Sequence, residues 1–340
     1  MLTRIPDLSA PLWTSKLATL LERAALAIGR LDARISATPV RTAWEDRAVW
    51  TGATAALRGQ GVGVDEIDLF ARACGVPLPA RAPVATHLHE DGRVAQWRDE
   101  LRERAAPHWR EIVPYPLALP QDWCQRPALL RALELAAHHA RADRSIEPAL
   151  AVPRLLQALG ISRTPLPCLV IHDKAWRLDP RDREAIVSRN LRLLADAADT
   201  GIQRLRRLET HRLRAASAIH SAARPGRLPQ LTALLEHCPV LTPKSVCTKL
   251  DLTISGAGKL LARAVELGLL AEISGRQAWK VYLVADLASE FGFIDPPRGR
   301  PPSPPPALAP LDDTLARFDR EMAEIDAKLG SLSVCAREHD

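Results

Sequence analysis

The stretch LPQLTALLEHCPVLTPKSVCTKLDLTISGAGKLLARAVELGLLAEISGRQAWKVYLV, Leu228 to Val284, decides how this 340-residue chain is read. Its first segment spaces Leu228, Leu231, Leu234 and Leu235 at helical intervals, which gives a short helix one apolar face. Thr242-Pro243 supplies an N-cap followed by proline at the first helical position, and the helix it opens buries Val246 and Leu250. A third helix starts near Thr253 or Ser255 and turns Ala257, Leu260, Leu261 and Ala264 inward. It ends at Leu267-Gly268-Leu269, with glycine where a left-handed C-cap is needed. Two strand-like runs follow, Leu269 to Ile273 and Ala278 to Val284, joined by Ser274-Gly275-Arg276-Gln277. Three helices and a hairpin with a basic tip predict a winged helix-turn-helix.

The charges are distributed as that prediction requires. Lys259 and Arg263 are four residues apart and share the helix face opposite the apolar stripe. Ser255 and Gly256 are small enough to let the helix N-terminus approach phosphates or base edges. Between Arg224 and Val284 there are eight Lys or Arg against four Asp or Glu, while the whole chain carries a net charge of +6. The expected partner is therefore double-stranded DNA. Ser255, Gly256, Lys259 and Arg263 are expected at the major groove, and Arg276, Gln277, Lys280 and Lys244 around the flanking backbone. The competing reading is a small unit with solvated charges that packs only against protein.

Leu241-Thr242-Pro243-Lys244, Asp251-Leu252-Thr253 and Leu260 to Arg276 resemble the C-terminal winged helix of bacterial Fic-type proteins. Leu17 to Arg34 and Thr51 to Val76 are similar to a Fic-related group carried on plasmids of plant-symbiotic bacteria. That group pairs an all-helical domain with a helix-turn-helix, and the resemblance implies the same organisation here. The chain departs from the enzymatic Fic proteins at their adenylylating loop. Their His-Pro-Phe start and Gly-Asn-Gly-Arg phosphate cradle are both missing, and the nearest string offers only Arg224-Pro225-Gly226-Arg227. No nucleotidyl transfer is expected, and the protein is not expected to be an enzyme.

Apolar residues at 47% and charged ones at 25% are typical of a globular protein, and only 4% are aromatic. Richness in alanine, leucine and arginine favours helices, so the fold class expected is mainly α. Met1 to Asp7 lacks the apolar core of a secretory signal, and no uncharged run reaches transmembrane length. The six cysteines (Cys74, Cys124, Cys168, Cys238, Cys247, Cys335) form no Cys-x-x-Cys pair and read as reduced thiols in the cytoplasm. Cys238 and Cys247 read as small core residues.

Upstream, helices are expected over Lys16 to Ser36, Val40 to Leu57, Val64 to Cys74, Val94 to Arg104, Pro127 to His139 and Pro148 to Leu159. Arg163 to Asp179 reads as an irregular connection. From Arg181 to about Ala223 one long helix, or two end to end, turns Leu191, Leu194, Ala198, Ile202, Leu205 and Leu208 inward. Its outer face carries Arg204, Arg206, Arg207, Arg212 and Arg214, suited either to phosphates or to acids of the N-terminal domain. Asp295 to Pro310 holds eight of the 28 prolines and reads as an extended linker. Beyond it, Leu311, Leu315, Phe318, Met322, Ile325 and Leu329 form a short heptad seam, for a homodimer, a protein partner or docking in cis. The organisation expected is a helical domain over 1–180, a connecting helix over 181–223 and a winged helix-turn-helix over 224–292. A linker over 293–310, an amphipathic helix over 311–330 and a tail over 331–340 complete it.

Candidate catalytic groups are weak. His87, His89, Glu90 and Asp91 sit in an expected loop with no further ligand in view, so a solvated turn is expected. The adjacent His138 and His139 point about 100° apart on a helix, which is poor chelating geometry. His172-Asp173 has no associated nucleophile, and Gly59, Gly61 and Gly63 follow a helix and lack the lysine of a phosphate loop. No catalytic residue, metal or cofactor is expected. The alternative to DNA binding is a degenerate Fic-like scaffold, or a protein-interaction module whose winged helix packs against protein.

Overall fold

The computed structural model describes residues 3–4, 14–78, 81, 88–103, 105–172, 176, 183–276, 279–295 and 320–324, with 3–4 and 88–91 described in backbone only. The chain is mainly α-helical. Helices α1 (Ser15–Ala37), α2 (Arg41–Gly59), α3 (Glu66–Ala73), α4 (Leu88–Arg102), α5 (Trp109–Ile112), α6 (Ala128–Ala142), α7 (Glu147–Ala158) and α8 (Arg183–Ser221) come first. Then follow α9 (Leu228–His237), β3 (Val240–Leu241), α10 (Pro243–Leu250), α11 (Ile254–Glu266), β4 (Leu270–Glu272), β5 (Tyr282–Val284) and α12 (Ala285–Glu290). Strand β1 (Thr3–Arg4) pairs in parallel with β2 (Leu117–Ala118).

Met1–Ile294 forms one compact unit and Asp295–Asp340 a second. The boundaries expected at 180 and 223 thus fall inside a single unit. In the second, residues 320–324 are helical and Met322 is exposed. The Pro-rich run beyond Asp295 and the other five residues of the heptad seam lie outside the described residues.

The centre of the larger unit is the pair α1 and α8. Thr14 opens α1 by accepting the Leu17 amide at 3.2 Å. From there Ala24, Ala27, Ile28, Leu31 and Ile35 are buried, at three- and four-residue steps. On α8, a single 39-residue helix, Leu191, Leu194, Ala198, Ile202, Leu205 and Leu208 are buried as expected. Ion pairs Arg23–Asp196, Arg30–Asp199 and Arg34–Glu209 advance together along both helices, so the two run parallel. Gly201 is the point of closest approach: a Cβ there would meet Leu31 and the Cys168 sulfur at 3.1 Å. The Trp44 indole donates to the Gly201 carbonyl at 3.1 Å and fixes α2 across the same point.

A second cluster packs α2 against α4 and α7, with the Trp97 indole donating to the Leu150 carbonyl at 2.9 Å. Gly52 is required here, because a Cβ would overlap the Pro167 carbonyl. Over its described residues, 163–172 and 176, the expected connection holds a short 3-10 turn at Pro167–Leu169. Helix α4 begins at Leu88, six residues earlier than expected, so His89, Glu90 and Asp91 belong to a helix and not to a solvated loop. His87 lies outside the described residues.

The C-terminal elements form a sheet of order β3-β5-β4, antiparallel throughout. Leu241, Leu270 and Tyr282 join α9, α10 and α11 in one core, while Val240, Ala271 and Leu283 join α3 and α12 in another. Alternate residues therefore serve opposite faces, and both faces are covered. Arg47 of α2 seals the junction, donating to Asp286 at 2.8 Å and to the Leu235 carbonyl at 3.1 Å.

Three buried histidines give the fold a pH dependence. Burial lowers the pKa of His138, His139 and His211, so each is neutral in the folded chain. The unfolded chain binds these protons below about pH 6.5. Their contribution to stability is whole above that value and is lost as the pH falls toward the folded values. The melting temperature should decline on acidification from neutrality, and His138→Leu should make that decline shallower. Calorimetry at stepped pH checks this; a melting temperature indifferent to mild acid would contradict it.

Candidate nucleic-acid interface

The turn between α10 and α11 sets the geometry of the exposed surface. The Thr242 hydroxyl accepts the Ser245 amide at 3.1 Å and the Ser245 hydroxyl accepts the Thr242 amide at 2.9 Å, which closes a capping box on α10. The helix ends at Asp251, whose φ of 51° is left-handed. The Cys247 thiol donates to the Leu252 carbonyl at 2.8 Å and ties the turn back to α10. Thr253 then caps α11, its hydroxyl accepting the Gly256 amide at 3.0 Å.

Ala257, Leu261 and Ala264 of α11 are fully buried, and Ser255 and Lys259 are exposed on the other side. Lys244 of α10 is exposed as well, as are Arg276 and Lys280 beyond β4. None of Lys244, Lys259, Arg276 and Lys280 joins an ion pair among the described residues. The N-terminal helices cover the outer face of the sheet through α3 and leave this surface open.

Arg263 is half-buried and donates to the Arg224 carbonyl at 2.9 Å, so it also braces the loop between α8 and α9. Gly256 is half-buried beneath the Thr253 cap. Gln277 lies outside the described residues.

The hairpin strands are shorter than the expected runs Leu269 to Ile273 and Ala278 to Val284. Glu272 is the reason. Its carboxylate accepts the Ser274 hydroxyl, the Ser274 amide at 2.9 Å and the Gly275 amide at 3.0 Å, turning the chain away from the ladder. Those hydrogen bonds, the Ser274 hydroxyl first, hold its pKa below the usual carboxylate range. The Ile273 amide still donates to the Val281 carbonyl at 2.9 Å, and the connection between them carries Trp279, which is 84% exposed with φ of 61°.

Sequence reasoning missed Trp279, Ile254 (57% exposed at the first position of α11), and the exposed Thr248 and Lys249 of α10. A tryptophan next to Lys280 in a hairpin connection was a usable signal for the first. Ile254 carried none, because its residue type fits a core equally well.

The arginine face of α8 divides. Arg204 is largely buried, gripping Glu66 at 2.6 and 2.8 Å and Glu290 at 2.7 Å. Arg207 pairs with the same Glu290 at 2.9 Å, and Arg212 donates to the Pro39 carbonyl at 3.1 Å. Arg204 is thus committed to protein, whereas Arg207 and Arg212 hold protein with one end and are exposed, as are Arg206 and Arg214. An open groove between α2 and α8 is lined by Thr51, Arg58, His172 and Arg204, but its most buried cation is the one already bound to Glu66 and Glu290. Asp173, the expected partner of His172, lies outside the described residues. Gly59 ends α2 and Gly61 (φ 92°) makes the turn after it. Among the described residues no group of three or more His, Cys, Asp or Glu could hold a metal ion, and no helix is long and apolar enough to cross a membrane.

No protein-family model and no curated protein matches this chain.

Removing the Thr253 hydroxyl leaves the Gly256 amide without its cap. Thr253→Ala should cost about 1 kcal/mol of unfolding free energy. Urea denaturation reads this directly, and an unchanged midpoint would show that the cap contributes nothing.

Proposed function

We propose that residues 228–284 are a winged helix-turn-helix that binds duplex DNA, and that the protein is a cytoplasmic transcriptional regulator. The observation that carries this reading is the cluster of exposed cations without ion pairs around the open face of α11. The rest of the larger unit spends many of its arginines on acids, as in Arg23–Asp196, Arg34–Glu209 and Arg204–Glu66. Lys244, Lys259, Arg276 and Lys280 are held apart from that pairing, as a phosphate-binding surface requires. The order of helix, strand, two helices and a two-stranded hairpin supports the same reading, as does the resemblance to Fic-related proteins that lack the Fic loop.

In this arrangement α11 enters the major groove with Ile254, Ser255 and Lys259 toward base edges. Lys244, Arg276 and Lys280 neutralise flanking phosphates, and Trp279 offers an aromatic face at the wing. A second reading, a packing platform for protein, draws on the covered sheet: α3 and α12 occupy the face that β3, β5 and β4 turn away from α11. The two are compatible, since they use opposite sides of the unit.

Fluorescence anisotropy with a mixed-sequence duplex, over about 50 to 200 mM salt, tests the proposal. Affinity should fall steeply with salt, and Lys259→Ala and Arg276→Ala should each reduce the logarithmic slope by about 1. Binding that ignores salt, or no binding at the lowest salt, would overturn it.

A further inference from the structure

Among the described tryptophans one stands apart. Trp44, Trp97, Trp109, Trp123 and Trp176 are buried and Trp50 packs against the core, whereas Trp279 is 84% exposed. Its φ of 61° lies in the left-handed region, which a bulky side chain rarely adopts. Among the described residues its side chain makes no hydrogen bond or ring contact that would offset this strain.

The hairpin holds the indole outward. The Ile273 amide donates to the Val281 carbonyl at 2.9 Å, and the Val281 amide donates back to the Ser274 hydroxyl at 3.3 Å. Ser274 and Gly275 are tied to the Glu272 carboxylate as well, so the hairpin is closed two residues from Trp279. Lys280 follows the tryptophan directly and Arg276 precedes it by three positions. Both cations are exposed, and neither joins an ion pair among the described residues.

An aromatic face beside a guanidinium and an ammonium is complementary to a flat base next to a phosphate. A lipid surface would call for a wider apolar patch than one indole.

We propose that Trp279 stacks on an unpaired nucleobase, so that the DNA this surface takes best is a duplex adjoining a single-stranded stretch. The proposal rests on the DNA-binding reading and specifies the substrate within it.

The energy of stacking decides between paired and unpaired bases. Inside a continuous duplex both faces of every base are covered by its neighbours. Opening one step there costs about as much as stacking on a single indole returns. An unpaired base offers its face at a much smaller cost. Insertion into an intact duplex is therefore close to neutral, and the gain is kept only beside a single strand. Stacking on one base corresponds to an affinity gain of about five-fold to a hundred-fold.

The test measures the fluorescence anisotropy of two labelled DNAs at one salt concentration, with the full-length chain throughout. One is a fully paired duplex, and the other is the same duplex with a short single-stranded gap at its centre. The gapped duplex should bind at least about five-fold more tightly. Trp279→Ala should bring the ratio of affinities to about 1, and Trp279→Phe should retain part of the preference. Lys259→Ala, on α11, should weaken both DNAs alike and keep the ratio. 2-Aminopurine placed opposite the gap should lose fluorescence on binding the wild-type chain, a readout that requires no variant to fold.

Equal binding of the two DNAs, with a steep salt dependence, would overturn this proposal and leave the DNA-binding reading standing. Binding to neither would overturn both. A gap preference that survives Trp279→Ala, or Trp279-dependent binding to phosphatidylglycerol vesicles in place of DNA, would also overturn it.

Discussion

The short sheet of β3, β5 and β4 leaves neither face to water. Leu241, Leu270 and Tyr282 enter the core shared with α9 to α11, and Val240, Ala271 and Leu283 enter the core shared with α3 and α12. Strands of two or three residues do not persist on their own, so the second face must be covered for the first to be stable. The covering element is α3, which belongs to the N-terminal helices. This dependence merges the two halves into one compact unit and explains why its polar seals cluster at the seam. Arg47–Asp286 is among the most enclosed, with side chains only 10% and 8% exposed. Deleting either partner would strand a buried charge, at a cost of about 3–5 kcal/mol.

The same dependence fixes which side of the C-terminal unit remains open. With the sheet occupied by α3 and α12, the free surface is the one formed by α10, α11 and the hairpin. Acids of the neighbouring helices are used on other arginines: Glu66 and Glu290 on Arg204, Glu209 on Arg34, Asp286 on Arg47. The whole chain carries a net charge of +6, and four of its exposed cations, Lys244, Lys259, Arg276 and Lys280, lie on α10, α11 and the hairpin connection.

Much of this was legible in the sequence because it depends on local rules. Caps at Thr242 and Thr253, the glycine after α11 and the leucine stripe of α8 are spacing and propensity signals, and the structure follows them within a few residues. What depends on distant partners was not legible. Val240–Leu241 is too short to signal a strand and becomes one only by pairing with β5, more than forty residues later. Arg204 has the same residue type as Arg206, yet its place one turn from Thr200 faces Glu66, and nothing nearby in sequence reveals that. Arg263 was read outward from helical spacing alone, and the chain reversal at Arg224 also supplies it with a carbonyl. The hairpin was found but its length was not, because a side chain, Glu272, decides where the ladder stops.

The parallel pairing of α1 with α8 has a consequence for biosynthesis. Helix α1 leaves the ribosome with a complete apolar face, but α8, the helix it runs along, begins only at Arg183. At ordinary elongation rates that interval is on the order of ten seconds, during which Leu17, Ile28, Leu31 and Ile35 lack their α8 neighbours. The nascent chain therefore carries an incompletely covered amphipathic segment through that interval, a target for chaperones that hold apolar helices until the matching strut is made.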